Sequence, residues 1–189
     1  MTLMVLGLAF WWGAHLFKRL APERRAEMGD RGKGLVALGV LAGVVLMVIG
    51  YRGSEWLGIS GAEFIPLWDP PRFLTHVNNL LMLFAFYLYA ASGMKTRITR
   101  VIRHPQLTAV KVWAFAHLLV NGDLASVVLF GGLLAWAVVS VILINRAVPR
   151  PAPPAPAPVG KEIGAVVGAV VVMVVVMLIH NWLGVPPWG

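Results

Sequence analysis

Cysteine is absent from the 189 residues, and acidic side chains number only 8. The first absence removes disulfides, iron–sulfur clusters, thiolate-ligated or thioether-attached haem and a cysteine nucleophile together. Charge as a whole is scarce. Charged residues make up 13% of the chain and hydrophobic ones 59%, against about 25% charged in soluble domains. Such a chain cannot clothe a globule in polar side chains, so lipid is part of its solvent. A Gly-rich phosphate loop, zinc-ligand spacing, a serine-triad motif and a closely spaced carboxylate pair are missing too. Soluble-type hydrolase and nucleotide chemistry therefore have no residues to work with. The apolar N-terminus has no basic region before it and reads as a retained helix rather than a signal peptide.

What is present is apolar length. Six stretches, at 3–17, 34–51, 73–93, 105–121, 124–145 and 163–183, each approach the ~20 residues that cross a hydrocarbon core at 1.5 Å per residue. The expected fold is all-α, an integral membrane bundle of about six transmembrane helices. The span at 105–121 is short, holds Lys111, and is parted from the next only by Asn121-Gly122-Asp123. Asp123 is suited to cap the helix that follows, so 105–145 reads as a tight helical hairpin, with one long bent helix as the alternative. The formal charge of +8 comes from short basic clusters between apolar runs, a pattern of membrane topology and not of a nucleic-acid face. Lys18, Arg19, Arg24, Arg25, Arg31 and Lys33 lie in the first loop; Lys95, Arg97, Arg100 and Arg103 in the third; Arg146, Arg150 and Lys161 in the fifth. Only Arg52 and Arg72 fall on the other side, accompanied by Glu55, Glu63, Asp69 and Asp123. The positive-inside rule then makes the odd loops cytoplasmic and puts both termini on the non-cytoplasmic side.

Residues 148–161 are rich in proline and alanine and predict an extended polyproline II linker. It divides the chain into a five-helix bundle, 1–147, a cytoplasmic linker, 148–161, and a final transmembrane helix with a short outer tail, 162–189. Gly39 with Gly43, and Gly160, Gly164 and Gly168, form small-xxx-small faces for close helix contact. The outer loop 51–72 carries Trp56, Trp68 and an Asp69-Pro70-Pro71 stop, and the eight tryptophans read mostly as interfacial belt residues. No internal repeat is visible.

Chemistry rests on the histidines: His15, His76, His104, His117 and His180. An ionisable group within a bilayer is costly and therefore a functional candidate, and neutral imidazole is the usual axial ligand of haem b. Each also has an ordinary reading, bonded to a neighbouring helix. Trp113, His117 and Asn121 share one face of the fourth apolar stretch, while His104 lies ~140° around and ~20 Å along from His117. His76, Asn79, Leu83 and Tyr87 line a partly polar face of the third, which should point inward. Depth groups His76, His117 and His180 toward the outer leaflet, and His15 and His104 toward the cytoplasmic one. Two ligands of one iron need equal depth, which pairs His76 with His117. Asn121 and Asp123 are read as turn formers and Lys111 as a snorkelling side chain.

Pro66-Leu67-Trp68-Asp69-Pro70-Pro71, Arg103-His104-Pro105, the block from Lys111-Val112-Trp113 through Ala116-His117-Leu118-Leu119-Val120-Asn121-Gly122-Asp123-Leu124, and the ending His180-Asn181-Trp182-Leu183-Gly184-Val185 together resemble the NnrU family of bacterial membrane proteins. The likeness runs nearly end to end. It implies a multi-pass protein of the cell inner membrane, accessory to respiratory nitrite and nitric oxide metabolism, whose partners are the lipid bilayer and respiratory nitrogen-oxide enzymes. The same family resembles 15-cis-ζ-carotene isomerase, a membrane enzyme with haem b. There a first-helix histidine and the histidine of a Trp-x-x-Ala-His block are implicated in holding iron, which correspond here to His15 and His117. His117 is thus common to both pairings, with His15 or His76 as the second metal ligand. A haem-dependent cis-trans isomerase of a carotenoid-like polyene is the alternative this implies; the isomerase's Asn-His-Arg-Tyr string is replaced here by Gly50-Tyr51-Arg52-Gly53. Arg-His-Pro also resembles a motif of small membrane S-adenosylmethionine-dependent methyltransferases, in which it works with a later acidic pair; here Glu162 is the only acid after Asp123.

Overall fold

The computed structural model describes residues 1–153, 155 and 157–188. It is all-α apart from one two-residue β-hairpin. The long helices are α1 (Thr2–Leu20), α3 (Gly29–Arg52), α4 (Phe73–Met94), α6 (Pro105–Val120), α7 (Leu124–Ala147) and α8 (Val159–Trp182). Two short ones, α2 (Pro22–Glu27) and α5 (Ile98–Val101), lie in the first and third basic loops. Four of the long helices, α3, α4, α7 and α8, are long and apolar enough to cross a membrane. At 16 residues, α6 is ~24 Å long, less than a ~30 Å hydrocarbon core. The chain breaks between α6 and α7, with Asn121 extended, so the two are separate helices and not one bent rod. Proline at the first position starts both α2 and α6, where its missing N–H costs nothing. Residues 149–153, 155, 157 and 158 are not helical, and Val159 opens α8; Pro154 and Pro156 of the expected extended linker lie outside the described residues.

Two compact units make up the chain. The first contains Met1–Trp68 and Asp123–Trp136. Here α1 and α3 pack backbone to backbone through glycine. A Cβ on Gly43 would stand 3.0 Å from Trp11 N, and one on Gly7 would stand 2.7 Å from Gly43 O. Beyond α3, Gly53–Ser54 pairs antiparallel with Ile59–Ser60 as β1 and β2, with Gly53 and Gly58 at positive φ supplying the turn. The loop then returns to α7: Leu124 N–H donates to Ile65 O at 2.9 Å, and Pro66 bridges Asp123. Met4, Ala62 and Ala125 are buried under Tyr51, Val128 and Leu129.

The second unit contains Asp69–Gly122 and Ala137–Gly189. Its α4 packs against both α6 and α8, burying Met82, Ala85, Leu88 and Ala91. The residues buried on its neighbours are small: Ala109, Ala114 and Ala116 on α6, Ala165 and Ala169 on α8. Of the expected α8 glycines, Gly160 and Gly168 have nothing within 4 Å of a Cβ position, and Gly164 meets only the Met94 side chain at 3.5 Å. The close-contact role thus belongs to Gly43 on α3 and not to the glycines of α8. The remaining apolar faces, including Val166, Val167, Val170 and Val171, are exposed, as lipid-facing helices require.

Candidate functional site: two tryptophan–histidine cassettes

In the first unit, His15 lies three turns into α1. Its Nδ1–H donates to Trp11 O at 2.9 Å. A carbonyl only accepts, so in the neutral ring the lone pair sits on Nε2. The imidazole is tilted against Trp11, with ring centroids 4.1 Å apart and planes at 38°, and meets Trp136 of α7 edge-on at 4.7 Å. Trp11 and Trp136 meet each other edge-on at 5.2 Å. One turn earlier, Trp12 Nε1–H donates to Gly132 O at 3.1 Å, and Leu8 fills the space where a Gly132 side chain would stand. Leu8, Trp12 and His15 thus read α7 in register, at Gly132 and Trp136.

In the second unit, His117 repeats the local half of this arrangement. Its Nδ1–H donates to Trp113 O at 2.9 Å, and the two rings stand 5.1 Å apart. Both histidines end the string Trp-x-x-Ala-His, Trp11-Trp12-Gly13-Ala14-His15 and Trp113-Ala114-Phe115-Ala116-His117. Sequence reasoning passed over this five-residue repeat, and with it the one signal that ties His15 to His117 inside this chain. The helix explains the motif: residue i−4 lies one turn below the histidine, so a tryptophan there offers both a carbonyl and a ring face. Trp11 and Trp113 are each half-buried, whereas Trp56 and Trp182 are 90% and 83% exposed.

The other histidines separate. His76 is exposed on α4, not turned inward as its helical face suggested; Asn79, one turn on, donates from Nδ2 to Pro187 O at 2.9 Å. His180 shares the backbone lock, with Nδ1–H on Val176 O at 2.8 Å, and lies within electrostatic range of His117. His104 has the opposite tautomer, its Nε2–H donating to Asn145 Oδ1 at 2.9 Å. The rest of the Arg-His-Pro neighbourhood is bound up in the fold. Arg103 donates to Val148 O and Pro149 O at 2.7 and 3.2 Å, Arg150 to Arg100 O and Val101 O at 3.1 and 2.8 Å, and Glu162 Oε1 accepts from Arg97 N–H at 2.7 Å.

Asp123 is a cap. Its Oδ1 accepts from Ser126 N–H at 2.8 Å and its Oδ2 from the Ser126 hydroxyl at 2.6 Å. With its proton committed to Asp123, the buried Ser126 hydroxyl must accept from Tyr51, 2.8 Å away. Tyr51 stands where the isomerase pattern has its Asn-His-Arg-Tyr string, and it is spent on tying α3 to α7.

Among the described residues, no three His, Cys, Asp or Glu side chains converge on a metal-ion position. A haem asks for less: one or two imidazoles with Nδ1–H anchored on a carbonyl, which fixes the ring and aims Nε2 at the iron. His15 and His117 meet that requirement. In addition, Trp11 Nε1 and Trp136 Nε1 are buried with no hydrogen-bond partner. The donor set at His15 is thus one lone pair and two unmet N–H groups.

An all-helical chain with four helices suited to a membrane and paired histidine cassettes on α1 and α6 defines a class, that of helical membrane proteins whose chemistry rests on imidazole. Within that class the chain belongs to the NnrU family: the family model, described as NnrU protein, matches residues 3–187. No curated protein and no solved structure matches it.

Proposed function

We propose that this is a multi-pass inner-membrane haem b protein, accessory to respiratory nitrite and nitric oxide metabolism, in which His15 and His117 each supply an imidazole to haem iron within their own unit. The repeated Trp-x-x-Ala-His cassette carries the reading, because both copies make the same Nδ1–H bond to the tryptophan carbonyl. Anchoring one ring nitrogen on a carbonyl raises the basicity of the other and fixes its direction. The six long helices cross the membrane in this reading, α1 and α6 included, with both termini outside the cytoplasm; the basic loops support that orientation. Bound iron supplies one-electron and small-ligand chemistry, while the chain's residues hold and orient it. Polyene isomerisation is disfavoured by Tyr51, and methyl transfer by the engagement of Arg103, His104 and Glu162 described above.

The test is the visible spectrum of the detergent-purified chain from haem-replete cells, with and without dithionite. A Soret band that shifts on reduction, falls in both His117→Ala and His15→Ala, and persists in His76→Ala is the expected result. A colourless, well-folded preparation refutes haem binding. For the accessory role, deletion in a denitrifying host should slow nitrite and nitric oxide consumption, and unchanged consumption rules the role out.

A further inference from the structure

Trp136 poses a question that packing does not answer. It is 5% exposed, and a phenylalanine would fill the same wall against His15 without burying a donor. Trp11 has the same unmet N–H, 5.2 Å away between ring centroids. Their edge-on approach gives at most one of the two a weak N–H···π contact. Buried donors are otherwise paired, and those of this unit mostly are: Trp12 donates to Gly132 O, Tyr51 to Ser126, and Ser126 to Asp123. The two unmet donors belong to the two rings that pack against His15 and against each other, beside an imidazole whose Nε2 carries the lone pair.

We propose that the Trp11 and Trp136 indole N–H groups form a donor pair for a carboxylate of the ligand that His15 takes, so that this cluster selects an acid-bearing macrocycle and not merely a flat hydrophobic one. The proposal rests on the haem reading above. In it, Trp136 has two roles carried by different parts of one side chain: the ring fixes the imidazole, and the N–H binds the ligand's acid group. Trp136→Phe separates them, since it keeps a ring and removes the donor.

The full chain, produced without haem and purified in detergent, is titrated with haem b and with its dimethyl ester, whose carboxylates are blocked. Soret absorbance reports both. Wild type should prefer the free acid by about tenfold, the scale of a hydrogen bond to a charged acceptor. Trp136→Phe and Trp11→Phe should each bring the ratio of the two affinities toward one. A purely structural role would weaken both ligands alike and leave the ratio unchanged, which overturns the donor assignment. No preference in wild type overturns it as well. A folded chain that takes up neither macrocycle overturns the haem reading itself, and with it the ligand assigned to these donors.

Discussion

Replacing Gly50 with alanine puts a methyl group into the backbone of α1. The added Cβ would overlap Met4 N and stand 2.7 Å from Met4 Cα and 2.9 Å from Leu3 C, where ordinary contact begins at 3.4 Å. The three nearest atoms are all main chain, so no rotamer change relieves the clash, and α1 must withdraw from α3 by about 1 Å. A gap of ~0.5–1 Å forfeits a quarter to a half of each dispersion contact along the seam. Overpacking of this kind costs ~1–3 kcal/mol, offset by the ~0.5–1 kcal/mol that alanine gains over glycine in a helix. A net loss of about 1 kcal/mol lowers the melting temperature by ~2–4 °C in a chain of this length. Gly13→Ala is the control, for it lies on α1 with nothing within 4 Å of its Cβ position and should gain that ~0.5–1 kcal/mol. Thermal unfolding in detergent, followed by tryptophan emission, compares the two directly. If Gly50→Ala melts with or above Gly13→Ala, the close α1–α3 seam is not what holds the first unit together.

Asp123→Ala removes the cap from Ser126 N–H and leaves the buried Ser126 hydroxyl without its acceptor, a loss of ~2 kcal/mol readable in the same melts. Tyr51→Phe should cost ~1 kcal/mol, and the double variant less than the sum, since both residues act through Ser126; strict additivity would break the network apart. Trp12→Phe deletes the bond to Gly132 O and should cost ~1 kcal/mol while leaving haem uptake intact; loss of haem with unchanged stability would assign Trp12 to the site instead. The cysteine-free chain also permits labelling with a membrane-impermeant maleimide. Thr2→Cys and Trp188→Cys should react from the outside, and Glu23→Cys and Arg100→Cys only after permeabilisation; the reverse pattern inverts the topology.

Much of the helical layout was legible without coordinates. Apolar runs at 73–93 and 124–145 became Phe73–Met94 and Leu124–Ala147, because backbone groups in lipid must close on themselves and only a helix does so locally. Asp123 as a cap was legible for the same local reason. The β-hairpin at 53–60 and the short α2 and α5 lay in polar loops with no periodicity to announce them. The tryptophan–histidine repeat was also there to be read, but each histidine was weighed by depth and by resemblance, and the shared spacing went unnoticed.

The faces were another matter. In a soluble helix, polarity marks the outside, but here lipid-facing and core-facing positions are equally apolar, so the pattern loses its direction. That is why His76 looked inward and is exposed, and why the glycines of α8 looked like a contact face and are open. It is also why Trp136, 121 positions from His15, could not be placed beside it. Sequence alone determined the long helices and their order, which depend on local hydrogen bonding and on apolar length. Only the tertiary structure decided which apolar face meets which, because close packing depends on shape, at Gly43 and Gly50 above all. It thereby packed one histidine against two tryptophans whose N–H groups have no hydrogen-bond partner among the described residues.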